Sequence, residues 1–195
     1  RYGGITKRGG RGASFAHGPL AVKECLELPE PSLSDPISDQ ERLYRELRKR
    51  RELPTMQMGL SVLQKLPDTL RKGHWKATVL LGHRCVTTEA MDVEPGDTSG
   101  NQFGIALDVG TTTVVAHLVD LRTSETLAVK AKYNSQISHG DDVISRMMYA
   151  STDEKRKQLR DMAANDINDL IAGLVLDARV KLPDISYIVC AGNTT

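Results

Sequence analysis

The sequence predicts an α/β protein in two units. A small mixed α+β unit covers residues 21–98, and a second unit covers 102–195, in which three meander strands precede a long helix and a parallel strand. Three observations carry that expectation. Runs with a period of two give way along the chain to runs of helical spacing. The turn-dense string EPGDTSGN, residues 94–101, separates two groups of elements. With 39% apolar and 26% charged residues in 195, the composition is that of a globular chain rather than a disordered, collagen-like or rod-like one. Lys and Arg number 26 against 25 Asp and Glu, so the net charge is +1 and no drive toward nucleic acid or a membrane surface is expected. No apolar run approaches the roughly 20 residues of a spanning helix and no secretory leader opens the chain, so a cytoplasmic protein is expected.

Residues 1–20 are glycine-rich and basic without an acid, the composition of a flexible linker. In AVKECLEL, Val22, Leu26 and Leu28 alternate with charges as in a short strand, closed by Pro29 and Pro31. A helix follows, with Ser38 or Asp39 as N-cap, Glu41 completing a capping box, and Leu43, Leu47 and Tyr44 forming its apolar stripe. Its remaining face, Arg42, Arg45, Arg48, Lys49, Arg50 and Arg51, is strongly basic, which fits either a solvated surface or a dock for an acidic partner. Leu60, Leu63, Leu66 and Leu70 mark a second helix that Pro67 is expected to end or restart. After Gly73 and Trp75, WKATVLL and CVTTEAMDV read as a hairpin with Gly82 in its turn.

In the second unit FGIALDV alternates Phe103, Ile105, Leu107 and Val109; TTVVAHLVDL and TLAVKAKY follow as further strands. Val143, Ile144, Met147 and Met148 recur at the spacing of a helix core, and Leu159 to Ala178 continue as a long amphipathic helix. SYIVCAG, residues 186–192, is a continuous apolar run, expected as a buried parallel strand. Because the sequence stops just past it, a fragment of a longer protein is expected.

Cys25, Cys85 and Cys190 are too widely spaced for a zinc or iron–sulfur ligand set and are expected as small buried thiols. His74, His83, His117 and His139 do not pair at metal spacing, and His117 alternates with Val115 and Val119 on a strand. The chemistry concentrates in Asp108-Val109-Gly110-Thr111-Thr112-Thr113. A strand-end carboxylate, a glycine that permits a tight turn and three hydroxyls make an anion cradle. Its N–H and O–H groups can donate to phosphate oxygens while Asp108 holds Mg²⁺ through water. A Walker loop would need a helix and a lysine there, and a plain tight turn is the other reading of these residues.

The order of hairpin, third strand, helix and fourth strand resembles a ribonuclease-H-like ATPase half-domain of the ASKHA superfamily, to which actin and the acetate and sugar kinases belong. More closely, GIALDVGTTTVVAHLVDL, YNSQISHGDDVISRMMYA and the terminal AGNTT resemble the ATPase domain of RACo, the reductive activators of corrinoid proteins. VKECLELPEPSLSDPISDQERL and EPGDT resemble that family's middle region, so the likeness covers roughly residues 21–195. The resemblance implies a middle domain at 21–98, the N-terminal half of an ASKHA domain at 102–195, and an ATP-dependent protein that returns cobalt(II) corrinoid to the methyl-accepting cobalt(I) state. It implies ATP and Mg²⁺ as cofactors, a [2Fe–2S] cluster in the parent protein but not in this chain, and a corrinoid protein or corrinoid iron–sulfur protein as partner. It also implies a homodimer, with no nucleic acid and no membrane.

Carried over by position, Asp108, Gly110, Thr111, Thr112 and Thr113 receive phosphates, with Asp108 the Mg²⁺ contact. Asn134, Gln136, Gly140, Asp141 and Asp142 face the cleft. Gly192, Asn193, Thr194 and Thr195 follow the strand edge where open α/β sheets place ligands. Asn193, with Asp108, is the catalytic candidate, beside the γ-phosphate or its water; a loop or helix cap is the other reading of it. Asp141 and Asp142 are also what the first turn of any helix favours. Two other classes stay open: a small-molecule kinase or other ATPase on the same turn, and a non-catalytic interaction module that docks through the basic helix.

Overall fold

The computed structural model describes residues 21–50, 55–84 and 87–192, which form two four-stranded sheets with helices packed on them. The predicted linker at 1–20, Cys85, Asn193, Thr194 and Thr195 lie outside the described residues. Alternation builds the first sheet. In β1 (Ala21–Glu27), β3 (Lys76–Arg84) and β4 (Thr87–Pro95), Leu26, Ala77, Val79, Leu81, Ala90 and Val93 are buried in one core. The three strands pair antiparallel in the order β1-β3-β4, and β2 (Met56–Met58) adds parallel to β4. Three residues carry no readable period, so β2 has no signal in the sequence. Helices α1 (Asp39–Arg50) and α2 (Leu60–Lys72) close the core with Leu43, Leu47, Leu66 and Leu70. The first begins as predicted, the Glu41 N–H donating to Ser38 Oγ at 3.2 Å.

Four expectations for this unit need correction. Arg42 is not on a solvated face: it is 0% exposed and paired with Asp35, which an upstream turn brings back under the helix. Pro67 neither ends nor restarts α2, which runs unbroken through it. An interior proline costs about 3 kcal/mol, and the full burial of Leu66 and Leu70, about 1.5–3 kcal/mol each, offsets it. The buried stripe of that helix contains Val62 instead of Leu60 and Leu63, which are exposed. Gly82 lies within β3, opposite Ala21 and Glu89, where the Met91 thioether occupies the space a Cβ would take; the glycine serves close packing against that side chain, not a turn.

The second sheet has the order β7-β6-β5-β8. Its members are β5 (Phe103–Val109), β6 (Thr113–Asp120), β7 (Glu125–Tyr133) and β8 (Ile185–Gly192); the first three form the predicted antiparallel meander, and β8 joins parallel to β5. After a 3-10 turn at Ser135–His139 come α3 (Val143–Tyr149) and α4 (Asp153–Ala178). Leu170 and Leu174 of α4 bury against Ile105, Leu107, Val114, Ala116 and Leu118. The molecule is thus mixed α/β, as predicted.

Burial departs from expectation at two places. Ile144, Met147 and Met148 are exposed, because the seven-residue α3 is anchored by its Asp142 cap and by buried Arg146 rather than by an apolar face. β8 is not a buried strand: Ile188 and Val189 are about half exposed, since α4 lies over β6 and β7 and leaves β8 at the sheet edge. Cys190 on that edge is exposed and Cys25 half-buried, neither the enclosed thiol expected; burial raises the Cys25 pKa. Gln102 joins the two units, accepting from Lys23 N–H at 3.2 Å and donating to the Ala21 carbonyl at 2.6 Å, while its own carbonyl accepts from Leu121 N–H.

Candidate functional site

The turn between β5 and β6 is the start of the site. The Gly110 N–H donates to the Thr113 carbonyl at 3.0 Å, and a Cβ on Gly110 would stand 2.7 Å from that carbonyl oxygen. Glycine is needed for this close approach. A positive φ at Gly110 is not the reason, since the left-handed glycines here are Gly96 and Gly140 among the described residues. Asn134, buried at the end of β7, holds the turn from below: its Nδ2 donates to the Gly110 carbonyl at 3.0 Å and its backbone N–H to the Thr112 carbonyl at 2.9 Å. Its Oδ1 accepts from Gln136 N–H at 3.0 Å, which caps the 3-10 turn.

That support rests in turn on Asp166 of α4, whose carboxylate accepts from Ser135 N–H at 2.7 Å, Ser135 Oγ at 2.6 Å and Lys132 Nζ at 2.7 Å. Burial pushes the Asp166 carboxyl up, but the Lys132 ammonium and the two Ser135 donors outweigh it and leave the pKa below the usual carboxylate range. The Lys132 ammonium is correspondingly raised, by Asp166 first and Asp169 second. Asp142 caps α3, accepting from Ser145 N–H at 2.8 Å and Ser145 Oγ at 3.0 Å, and these donors lower its pKa.

Between the turn, the 3-10 segment, α3 and α4 lies a cleft of about 360 Å³. Of the sequence-predicted residues, Gly110, Thr111, Asn134 and Gln136 line it. Gly140 sits behind, at φ +153° with its Cβ position 2.7 Å from Ser145 Cβ, and contributes its carbonyl to Arg146. Asp108, Thr112, Thr113, Asp141, Asp142 and Gly192 are not part of the lining. Asp108 is exposed at the end of β5, opposite Val115 and Ala191, and Gly192 pairs beside Val109. No group of three or more His, Cys, Asp or Glu that could hold a metal forms among the described residues.

Sequence reasoning missed Arg146. It is buried in α3, its Nε donating to the Gly140 carbonyl at 2.9 Å, one terminal nitrogen to Gln136 Oε1 at 3.3 Å and the other to the Thr111 carbonyl at 2.5 Å. The signal was present in the spacing: Val143, Arg146 and Ala150 lie on one helical face and all line the cleft. With Arg156, which pairs with Asp153, the lining holds two cations and no acid among the described residues.

Comparison with known proteins agrees with this architecture. A family model described as the RACo linker region matches residues 11–100, the residues expected above as the family's middle region; one described as the RACo middle region matches 103–195, those expected as its ATPase half. The corrinoid activation enzyme RamQ of Eubacterium limosum is 34% identical over 94 residues, 48% of this chain and 16% of that relative. A solved structure of a reductive activator for corrinoid, iron–sulfur protein superposes with a TM-score of 0.82 at 35% identity, covering 94% of this chain and 29% of that one. The chain therefore spans less than a third of either relative. Two regional models that together run from residue 11 to residue 195, and a superposition that takes in both sheets, show that the chain belongs to the RACo family.

Proposed function

We propose that this chain is the phosphate-receiving part of an ATP-dependent reductive activator, a protein that returns cobalt(II) in a corrinoid protein to the cobalt(I) state. The observation that carries the reading is the likeness, at 35% identity over 94% of the chain, to a reductive activator for corrinoid, iron–sulfur protein. A corrinoid iron–sulfur protein is accordingly the proposed partner, and the cytoplasm the proposed compartment.

What supports a phosphate at the turn is its chemistry. Gly110 lets the turn close tightly onto the Thr113 carbonyl at the edge of the cleft, Thr111 stands in its lining with a hydroxyl side chain, and the lining is cationic. Asp108 is exposed beside the turn and makes no ion pair among the described residues, which suits a magnesium ion that takes one carboxylate plus phosphate oxygens. ATP, when bound, would supply the free energy that an uphill electron transfer to cobalt requires. The chain's own part is to fix the phosphates: Asn134 holds the turn and Asp166 the segment behind it, so that the backbone around Thr111 needs no reorganisation on binding.

The test is Asp108→Ala in the full-length protein, assayed for Mg-dependent ATP hydrolysis and for reduction of a cobalt(II) corrinoid protein followed by its absorbance. Both activities are expected to be lost while the melting temperature is unchanged. A normal hydrolysis rate in the variant overturns the assignment of Asp108, and no nucleotide dependence in the wild type overturns the reading as a whole.

A further inference from the structure

Arg146 is 9% exposed, and its guanidinium, always charged, has only neutral hydrogen-bond partners among the described residues: two carbonyls and the Gln136 amide oxygen. Three of its five N–H groups are committed; the remaining two, one on each terminal nitrogen, have no acceptor among the described residues. Asp142, the acid nearest in sequence, spends both carboxylate oxygens on Ser145. Arg156 on the same cleft is already balanced by Asp153. A buried charge is ordinarily paired, because an uncompensated one is expensive to keep from water. Here the compensation is not supplied by any acid in the cleft lining.

We infer that the cleft takes an anion of the phosphoryl class against Arg146, whose two free N–H groups receive a pair of its oxygens. The inference rests on the phosphate reading of the turn and adds to it the cation, the side of the turn on which the charge is met, and a coupling between them. A phosphoryl group fits better than a lone carboxylate. It offers oxygens to the guanidinium fork and to the Thr111 hydroxyl, which is itself uncommitted among the described residues, and the cleft of about 360 Å³ exceeds what one carboxylate fills. Because the same guanidinium also donates to the Thr111 carbonyl, an anion seated on it would tie α3 to the turn.

The experiment measures equilibrium binding of inorganic pyrophosphate and of ATP to the full-length protein, wild type, Arg146→Gln and Arg146→Lys. Arg146→Gln is expected to weaken both ligands about tenfold to a hundredfold, the range for a hydrogen bond to a charged group, and Arg146→Lys to recover part of the loss. Equal affinity in wild type and Arg146→Gln overturns the inference while leaving the turn reading intact. Pyrophosphate binding that depends on Arg146, without ATP binding, leaves the inference standing and removes the nucleotide. Binding of neither ligand to the wild type overturns both. Should Arg146→Gln fail to fold, phenylglyoxal labelling of Arg146 in the wild type, followed by mass spectrometry, decides: slowing by pyrophosphate supports the anion, and an unchanged rate overturns it.

Discussion

Arg42 and Arg146 occupy equivalent places in the two units. Each is the fourth residue of its helix, each is buried, and each reaches back to a carbonyl of the segment that precedes the helix. They differ in their counter-charge. Arg42 has the Asp35 carboxylate at 2.5 Å, a carboxylate that Arg45 also grips with two bonds of 2.9 Å. Arg146 has carbonyls and an amide, and a cleft on its open side. A closed ion pair of the first kind fixes a turn under a helix. An arginine of the second kind makes as many bonds as the first, which itself leaves a buried Nε without a partner, but meets no acid in them, so that its charge is kept for something that is not in the chain. The contrast separates a cation that belongs to the fold from one that the fold merely positions.

The largest test of that contrast removes the closed pair. Arg42→Met keeps bulk in the core but deletes a charge-assisted bond to Asp35 and two bonds to carbonyls, and is expected to cost about 3 kcal/mol in urea unfolding. Losing less than about 1 kcal/mol would mean that the pair contributes nothing net and that the contrast is empty. Arg146→Gln, by the same measurement, is expected to change stability by no more than about 1 kcal/mol, because the lost bonds are offset by relief of an unpaired buried charge.

A smaller effect is expected at the turn that Arg146 touches. Gly110→Val places a branched side chain against the Thr113 carbonyl and is expected to cost about 2 kcal/mol, the usual scale of overpacking, read as a lower melting temperature. If the variant is as stable as the wild type, the turn is not held as tightly as Asn134 and Gly110 indicate, and Arg146 would then be propping a loose segment.

The uneven legibility of the sequence follows the same division. Strand alternation in β5 and β6 and the Ser38 cap of α1 were legible because each depends on neighbours within a few residues, and the parallel return of β8 because a strand that follows a long helix ordinarily comes back parallel. So was the glycine of the Asp108–Thr113 turn, though its close contact with Thr113 was not. Burial of Arg42 depends on Asp35 arriving from a turn seven residues earlier, and exposure of Met147 and Met148 depends on what α4 covers. Helical spacing shows which residues share a face but not which face looks inward. On α3 it set Val143 with Ile144 and the methionines, whereas the residues that line the cleft are Val143, Arg146, Met147 and Ala150, with Ile144 and Met148 exposed outside it. Asp108 was picked from the motif, and Asn134 and Gln136 were carried over by resemblance; only the structure distinguishes buried Asn134, which holds the turn and accepts from Gln136 N–H, from Asp108, which is left exposed beside it.

The finest discrimination comes from acid. Donation from Arg45 first and Arg42 second holds the Asp35 carboxyl at about 2, against an ordinary 3.8. A carboxyl whose folded pKa lies below its unfolded one adds stability that is complete above the unfolded value and is lost as pH falls through the folded one. Asp35 therefore stabilises the fold at neutral pH and gives that stability up between about 4 and 2. Arg42→Met takes away one donor, so the Asp35 pKa moves back toward 3.8 and stability falls less steeply across that window. Arg146→Gln removes no carboxylate's hydrogen-bond partner; it only lifts a field from Asp142, the last of the influences on a group governed first by the Ser145 amide. Its curve of stability against pH is expected to run parallel to that of the wild type from pH 7 to pH 2. A change of slope there would show that some acid of the chain answers to Arg146 after all, and the two arginines would then be of one kind.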